Sequence, residues 1–294
     1  MAKKPSKPPR ILIYGIEGVG KSSFIDGAPN PTAICPEGGF DTLDNVHEER
    51  GIKTWDDLRA TVKRMIAEPK KFSTLGLDSA DWIEKLAHQK IVGASGKTII
   101  TVAGGYGSGY RQSEMMHKEL IDDLAELREK HQMIIIVTAH YQVKEVRDPD
   151  AIADYDQFEI KCHEMVSSLW REWVDALLFC RFETFVKDGG DDGKTVAKGT
   201  GNRIMFTEKR PAFQAKNRYG LPPQINDVSY HAFEEARKLC RIDSVDVLRA
   251  EALTLSDSVL DEEMRLKVID TIANATGENM LNAIIARIKK VVAT

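Results

Sequence analysis

The chain has 294 residues, of which 42% are hydrophobic and 29% charged, and its formal net charge is −4. These proportions are typical of a globular protein. The slight negative charge argues against a nucleic-acid-binding surface that extends over the whole protein, so any DNA-binding surface must be a local patch. No apolar run approaches the roughly 20 residues of a membrane-spanning helix, and the basic start, residues 1–9, lacks the apolar core of a secretory signal, so we expect a flexible tail on a cytoplasmic protein.

The first informative stretch is an apolar run, Arg10–Tyr14, followed directly by Gly15–Ser22. The second segment reads Gly-Ile-Glu-Gly-Val-Gly-Lys-Ser and matches the phosphate-binding pattern G-x-x-x-x-G-K-[S/T] at every fixed position. Glycines let the backbone curl around an anion, while Lys21 would reach the β- and γ-phosphates and the Ser22 hydroxyl would ligate Mg²⁺. Strand, loop and helix occur in the required order, so this stretch predicts a site for ATP and Mg²⁺. The residues expected to surround the nucleotide are Gly15, Glu17, Gly18, Val19, Gly20, Lys21, Ser22 and Ser23.

The second predicted strand, Thr32–Cys35, leads into a glycine-containing turn, Pro36–Asp41. A carboxylate that follows a strand beside glycines is well placed to face the γ-phosphate. We therefore expect Glu37 to act as a general base on the attacking water, with Asp41 as a second candidate. The alternative is a polar turn without chemistry, and spacing alone does not separate the two.

The next elements are an amphipathic helix over Thr54–Glu68, to which we assign packing only, and a strand over Phe72–Asp78. A strand that ends in an acid is the Walker B arrangement. Asp78 is therefore predicted to hold Mg²⁺ together with Ser22. A further helix is predicted over Asp81–Gln89.

A glycine-rich stretch, Gly104–Arg111, carries two tyrosines and one arginine. Aromatic rings and a cation on a mobile loop suit stacking on unpaired bases together with a phosphate contact. The same composition suits a lid over a substrate or a plain flexible loop. Tyr106, Tyr110 and Arg111 are therefore candidate DNA contacts, with the other two interpretations left open.

The helix predicted over Glu114–Lys130 leads into Gln132–His140, an apolar run typical of a buried strand in a parallel sheet. His140 ends this strand, at the edge where ligands of open α/β sheets bind. It is a candidate sensor of the γ-phosphate, and the alternative is a structural, hydrogen-bonded histidine. The polar and weakly periodic segment Tyr141–Glu159 predicts a long flexible connection.

Strands are predicted over Ala176–Phe185 and Lys194–Phe206, joined by a turn at Asp188–Gly193. A basic stretch follows and ends in two prolines. A cation pair held there could act as a finger on a neighbouring subunit's ATP, bind DNA phosphates or merely face solvent. Helical apolar spacing then predicts a small C-terminal module, residues 226–294. The basic residues are Arg203, Lys209, Arg210, Lys216 and Arg218.

In the order of these pieces, residues 10–225 resemble the RecA-like core ATPases. The closer resemblance is to phage-encoded nucleotide-binding AAA-type proteins, which include the RecA-like single-strand annealing proteins of the Sak group. The resemblance implies that Glu37 is the catalytic glutamate and Asp78 the Walker B acid. It also implies that His140 is the polar sensor, where RecA has a glutamine.

The same resemblance places two mobile DNA-binding loops at residues 104–112 and 141–160. The segment Lys216-Asn217-Arg218 is similar to the RecA segment whose two cations reach across the subunit interface. The resemblance therefore implies that Lys216 and Arg218 act on a neighbour's ATP. The DNA contacts implied by position are Tyr106, Tyr110, Arg111, Lys144 and Arg147.

These features together predict an α/β fold: a RecA-like P-loop NTPase core over residues 10–225, with a mainly parallel central sheet flanked by helices, plus the helical C-terminal module. We expect an ATPase that depends on single-stranded DNA and acts in phage homologous recombination or annealing, in the host cytoplasm. Its expected partners are single-stranded DNA, further copies of itself with ATP at the subunit interfaces, and a single-strand DNA-binding protein, with no membrane.

The alternative functions are a DNA motor, either a helicase or a packaging ATPase, and an ATP-gated DNA-binding or assembly module with little turnover. A GTPase is not expected, because the base-reading motif N-K-x-D is absent from the sequence. An ABC transporter ATPase is not expected either, because the signature L-S-G-G is absent.

Overall fold

The fold, seen in a computed structural model of the chain, alternates strands and helices before it ends in consecutive helices. The structure describes residues 7–68, 70–147, 153–187, 196–240, 244–259 and 261–292. The strands are β1 (Arg10–Gly15), β2 (Pro31–Ile34), β3 (His47–Glu49), β4 (Thr74–Leu77), β5 (Ile134–Ala139), β6 (Tyr141–Val146), β7 (Tyr155–Ile160), β8 (Ala176–Lys187), β9 (Val196–Phe206), β10 (Lys216–Asn217) and β11 (Gln224–Ile225). The helices are α1 (Lys21–Asp26), α2 (Trp55–Ala67), α3 (Ala80–Val92), α4 (Ser108–His131), α5 (Glu164–Trp173), α6 (Tyr230–Leu239), α7 (Ser244–Ser256), α8 (Glu262–Ala273) and α9 (Glu278–Val292).

Within the described residues, the central sheet contains nine strands in the order β11-β9-β8-β1-β5-β4-β2-β3, with β10 beside β8. β1 lies in the interior and pairs in parallel with β5 on one side and β8 on the other. All strands from β8 to β3 run parallel, whereas β9, β10 and β11 join in antiparallel fashion. The predicted α/β fold with a mainly parallel central sheet is confirmed.

Side chains alternate along β1, so that each face of the sheet has its own apolar core. Leu12 and Tyr14 belong to the core that α2, α3, α4 and α5 cover. Ile11 and Ile13 belong to the core under α1 and α6. All four side chains are fully buried, which explains why β1 is a continuous apolar run. The packed helices hold the carboxyl ends of the parallel strands at one edge.

The segment Tyr141–Glu159 is the largest departure from the predicted fold. Its described residues form a hairpin and not a flexible connection, because β6 pairs with β7 in antiparallel register along its whole length. Phe158 anchors the hairpin by stacking on Phe179, with 5.2 Å between the ring centroids. The Phe158 carbonyl also accepts a hydrogen bond from the Tyr14 hydroxyl at 3.1 Å. The prediction of a loop over residues 141–160 was therefore wrong for the described part.

The predicted loop Gly104–Arg111 is shorter than expected. α4 begins at Ser108, so that Tyr110 and Arg111 lie on its first turns. The Ser108 hydroxyl donates a hydrogen bond to the Ala103 carbonyl at 2.7 Å. Because this local contact anchors the start of α4, the helix begins earlier than its apolar spacing indicates.

The amino-terminal segment meets the core before β1 begins. The Pro8 carbonyl accepts a hydrogen bond from Arg128 Nε at 2.7 Å, and the Pro9 carbonyl accepts one from the Ile135 backbone at 3.1 Å. The last part of the predicted flexible tail is therefore held in place. Residues 1–6 of that tail and the predicted turn at Asp188–Gly193 lie outside the described residues.

By its contacts the chain divides into two units, Met1–Ala236 and Arg237–Thr294. The limits predicted for the core and the C-terminal module, residues 225 and 226, remain predictions. Across the described parts of the chain, no helix is long and apolar enough to cross a membrane. The second unit contains α7, α8 and α9, and its own buried core consists of Ala252, Val259, Ile272, Ala275, Leu281, Ile285 and Ile288.

Candidate functional site

The phosphate loop joins β1 to α1 at the carboxyl edge of the sheet. Gly15 must lack a side chain, because a Cβ atom there would lie 1.9 Å from the Cys180 carbonyl oxygen. Gly20 has a φ of +105°, a conformation that residues with a side chain rarely adopt. These glycines let the backbone turn sharply and leave Lys21 at the start of α1.

Lys21 is buried beneath this loop. Its ammonium donates hydrogen bonds to the carbonyl oxygens of Gly15 at 3.0 Å and Ile16 at 3.1 Å. Burial lowers the pKa of Lys21, while the nearby carboxylates of Asp78 and Glu17 oppose that effect. A lysine that donates to neutral carbonyl oxygens can exchange them for phosphate oxygens, which form stronger, charge-assisted hydrogen bonds. This arrangement suits the predicted phosphate contact.

Ser22 and Asp78, the two predicted Mg²⁺ ligands, are in direct contact. The Ser22 hydroxyl donates a hydrogen bond to Asp78 Oδ2 at 2.6 Å, and the Thr138 hydroxyl on β5 donates to Asp78 Oδ1. Asp78 directly follows β4 and is only 6% exposed. Hydroxyl and carboxylate oxygens are the ligands that Mg²⁺ prefers, and this ion usually adds waters and substrate phosphates to one or two carboxylates. The donor set therefore fits Mg²⁺.

His140 follows β5 and is held by Asp81. The His140 backbone N–H donates a hydrogen bond to Asp81 Oδ1 at 3.1 Å, and the ring nitrogen Nδ1 lies 3.0 Å from Oδ2. The Ser79 hydroxyl donates to the same carboxylate at 2.8 Å. The hydrogen bond with Asp81 raises the pKa of His140, although burial opposes it. Burial acts to raise the pKa of Asp81, but the hydrogen bonds and charge of His140 outweigh burial and lower it.

Lys21, Ser22, Asp78 and His140 line one open cavity of about 290 Å³ together with Glu37. Burial raises the pKa of Glu37, His140 opposes this, and Asp78 and Asp81 add to it. A carboxylate with a raised pKa accepts a proton more readily, which suits a general base. The structure thus brings most of the predicted nucleotide and catalytic residues together. The lining residues are Glu17, Gly18, Gly20, Lys21, Ser22, Ser23, Glu37, Asp78, His140 and Arg203.

Lys216 and Arg218 lie at the opposite, amino edge of the sheet. Lys216 pairs with Leu177, next to the start of β8, and its ammonium donates to two carbonyl oxygens near the end of α5, each at 2.8 Å. The Arg218 guanidinium lies 3.3 Å from the Asp175 carboxylate. Both cations are thus engaged within their own chain and are remote from its phosphate loop. Their action on a neighbour's ATP stays a prediction.

Of the predicted DNA contacts, Tyr110 and Lys144 are partly buried and the other three are exposed. Tyr110 stacks on His163, with 3.8 Å between ring centroids, and shares an open cavity of about 410 Å³ with Lys144. Lys144 also pairs with Glu159 at 3.7 Å. A role for any of these residues in binding DNA stays a prediction. The exposed group consists of Tyr106, Arg111 and Arg147.

Sequence reasoning missed Asp81, Thr138 and Arg203. Thr138 stands two positions before His140, and alternation along a strand directs both side chains to one face. That spacing was an available signal for Thr138. For Asp81, the available signal was its closeness to Asp78 in the sequence. Arg203 was counted in the basic stretch alone, because its position depends on the pairing of β9 with β8.

Comparisons with known proteins identify the family of the chain but do not test the individual site residues. No curated protein matches the chain. A family model described as AAA domain matches residues 7–219, which is more than half of the chain. The matched range contains the phosphate loop, Asp78 and His140. The chain therefore belongs to the AAA domain family and carries an AAA-type P-loop ATPase-like domain.

Proposed function

We propose that the chain binds ATP with Mg²⁺ in the cavity at the carboxyl edge of the sheet and hydrolyses it in a reaction that single-stranded DNA stimulates. The observation that carries this proposal is the convergence of the Lys21 ammonium, the Ser22–Asp78 pair and the Glu37 carboxylate on one cavity. Membership of the AAA domain family supports nucleotide hydrolysis in general. The dependence on DNA rests on further features of the chain.

Hydrolysis proceeds by attack of water on the γ-phosphorus, in line with the bond to the leaving oxygen of ADP. Glu37 accepts a proton from the water as the new O–P bond forms, and the bond from the γ-phosphorus to the bridging oxygen breaks. Lys21 exchanges its carbonyl partners for phosphate oxygens and offsets the charge that develops on them. Ser22 and Asp78 would hold Mg²⁺, which when bound neutralises charge on the β- and γ-phosphates.

The link between nucleotide and DNA is proposed to run through His140. This residue lines the cavity, and the next residue, Tyr141, begins β6. Because Asp81 binds both the backbone and the ring of His140, a shift of the ring at the γ-phosphate also acts on the start of the hairpin. Lys144 lies on that hairpin and Arg147 directly follows β6. Binding of DNA and binding of nucleotide would then influence each other reciprocally.

The proposed setting is homologous recombination or annealing of phage DNA in the host cytoplasm. The protein would act as a homo-oligomer with ATP between subunits, beside a single-strand DNA-binding protein. The order of motifs along residues 10–225, which resembles RecA-like annealing proteins, supports this setting. A DNA motor would use the same cavity, and strand displacement on a forked duplex would distinguish it.

The experiment is a measurement of ATP turnover with and without single-stranded DNA, at low and moderate salt. We expect DNA to stimulate turnover, and salt to weaken the stimulation because phosphate contacts release counterions. An Arg147→Ala variant is expected to keep basal turnover and lose part of the stimulation. Turnover that DNA does not change, with no DNA retained in the presence of ATP, would contradict the DNA-dependent part of the proposal.

A further inference from the structure

Arg203 lies beside the phosphate loop and adds a second cationic side chain to that of Lys21. On β9 it lies opposite Phe182 of β8. Phe182 stands just beyond Cys180, which pairs with Gly15 at the start of the loop. Strand pairing therefore sets Arg203 at the level of the loop. The guanidinium nitrogen Nη1 lies 3.0 Å from the position that a Cβ atom would take on Gly20.

The Arg203 guanidinium is available to a ligand. Its side chain is exposed and lines the cavity, and among the described residues it forms no hydrogen bond or ion pair. The Glu183 carboxylate on the facing strand accepts hydrogen bonds from Thr200 at 2.8 Å and Asn202 at 3.1 Å, and not from Arg203.

The carboxylates that line the cavity outnumber its permanent cations. Its lining contains the carboxylates of Glu17, Glu37 and Asp78, against Lys21 and Arg203 as its permanent cations. A triphosphate adds several further negative charges. Arg203 lines the cavity beside Gly20 of the loop, so its positive charge would offset part of this added negative charge together with Lys21 and Mg²⁺.

We propose that Arg203 contacts the phosphates of a nucleotide bound in its own subunit and so strengthens nucleotide binding. A guanidinium presents a planar pair of donors that matches two phosphate oxygens. This inference rests on the proposed function, because it takes the cavity to be the nucleotide site. It further implies that Arg203 does not read the base, since all nucleoside triphosphates share the same phosphates.

The test is the equilibrium binding of ATP and of GTP, each with Mg²⁺, to the full chain. Removal of a charge-assisted hydrogen bond predicts that Arg203→Ala binds ATP about 10-fold or more weakly, and GTP by the same factor. Arg203→Lys is expected to recover only part of the loss, because an ammonium cannot bind two oxygens in one plane. The matched control is Lys63→Ala, which removes an exposed cation on α2. It is expected to bind like the wild type.

The outcomes separate this inference from the proposed function. Equal ATP affinity for the wild type and Arg203→Ala, while Lys21→Ala fails to bind, would overturn the inference and leave the nucleotide site in place. Failure of the wild type to bind ATP would contradict the proposed function itself. A loss confined to ATP, with GTP binding unchanged, would overturn the phosphate contact. Arg203→Gln and thermal unfolding of each variant control for misfolding.

Discussion

Replacement of Glu84 by glutamine is expected to stabilise the first unit at neutral and alkaline pH. Glu84 lies on α3 and is 8% exposed. The His163 backbone N–H donates hydrogen bonds to both carboxylate oxygens, at 3.0 Å and 3.1 Å. Burial raises the pKa of Glu84 from 4.5 to about 7, with the His163 hydrogen bond opposing this and the charge of Asp81 adding to it.

The sign of the effect follows from proton linkage. An acid with a raised folded pKa binds its proton more tightly in the folded state, so stability falls as the pH rises from 4.5 to about 7. Each pKa unit is worth about 1.36 kcal/mol, so the ionised carboxylate costs about 3 kcal/mol above that range. Glutamine keeps an acceptor for the His163 N–H and carries no charge, so this cost disappears.

Urea unfolding followed by tryptophan fluorescence measures the effect. All four tryptophans, Trp55, Trp82, Trp170 and Trp173, belong to the first unit, so their signal reports on that unit. We expect Glu84→Gln to exceed the wild type in free energy of unfolding above pH 7 and to lose the advantage below pH 4.5, the limits set by the folded and ordinary pKa. The exposed Glu126→Gln on α4 is the matched control. Parallel pH profiles for the wild type and Glu84→Gln would refute the reasoning.

Three further substitutions test the site and its support. Glu37→Gln is expected to lower ATP hydrolysis by about 100-fold or more while ATP binding is retained; hydrolysis at the wild-type rate would exclude Glu37 as the base. Gly76→Ala places a Cβ atom 2.6 Å from Ile25 Cγ2, and such overpacking is expected to cost about 1–3 kcal/mol in urea unfolding; an unchanged midpoint would show that Ile25 can move away. Asp81→Asn removes the carboxylate whose hydrogen bond raises the pKa of His140, so an NMR titration of the ring is expected to show a lower pKa, and an unchanged value would contradict the pairing.

The phosphate loop and the parallel sheet could be predicted because their signals are local. In Gly15–Ser22, the positions of the glycines allow the turn, and the lysine that follows them identifies it as a phosphate loop. Within the apolar runs Arg10–Tyr14 and Gln132–His140, the strand interiors are buried on both faces, and such strands stand out from a polar background. Asp78 and His140 follow their strands directly, so order along the chain was enough to place them at one edge.

The hairpin β6–β7 could not be predicted, because its stability comes from a distant partner. Its strands are mostly polar and half-buried, and the contact from Phe158 to Phe179 joins residues far apart in sequence. Arg203 was out of reach for a related reason. Its place beside Gly20 depends on the register of β9 against β8, which no local pattern encodes.

The most direct test of the nucleotide cavity is the rate of ATP hydrolysis by the wild type and by Lys21→Ala, each with Mg²⁺ and after its removal by a chelator, with Lys63→Ala as the control. We predict hydrolysis by the wild type and the control only while Mg²⁺ is present, and none by Lys21→Ala. That variant lacks the buried ammonium, now bound to the Gly15 and Ile16 carbonyl oxygens, that we propose contacts the phosphates. Hydrolysis by Lys21→Ala at the wild-type rate would contradict the assignment of this cavity as the site of ATP hydrolysis.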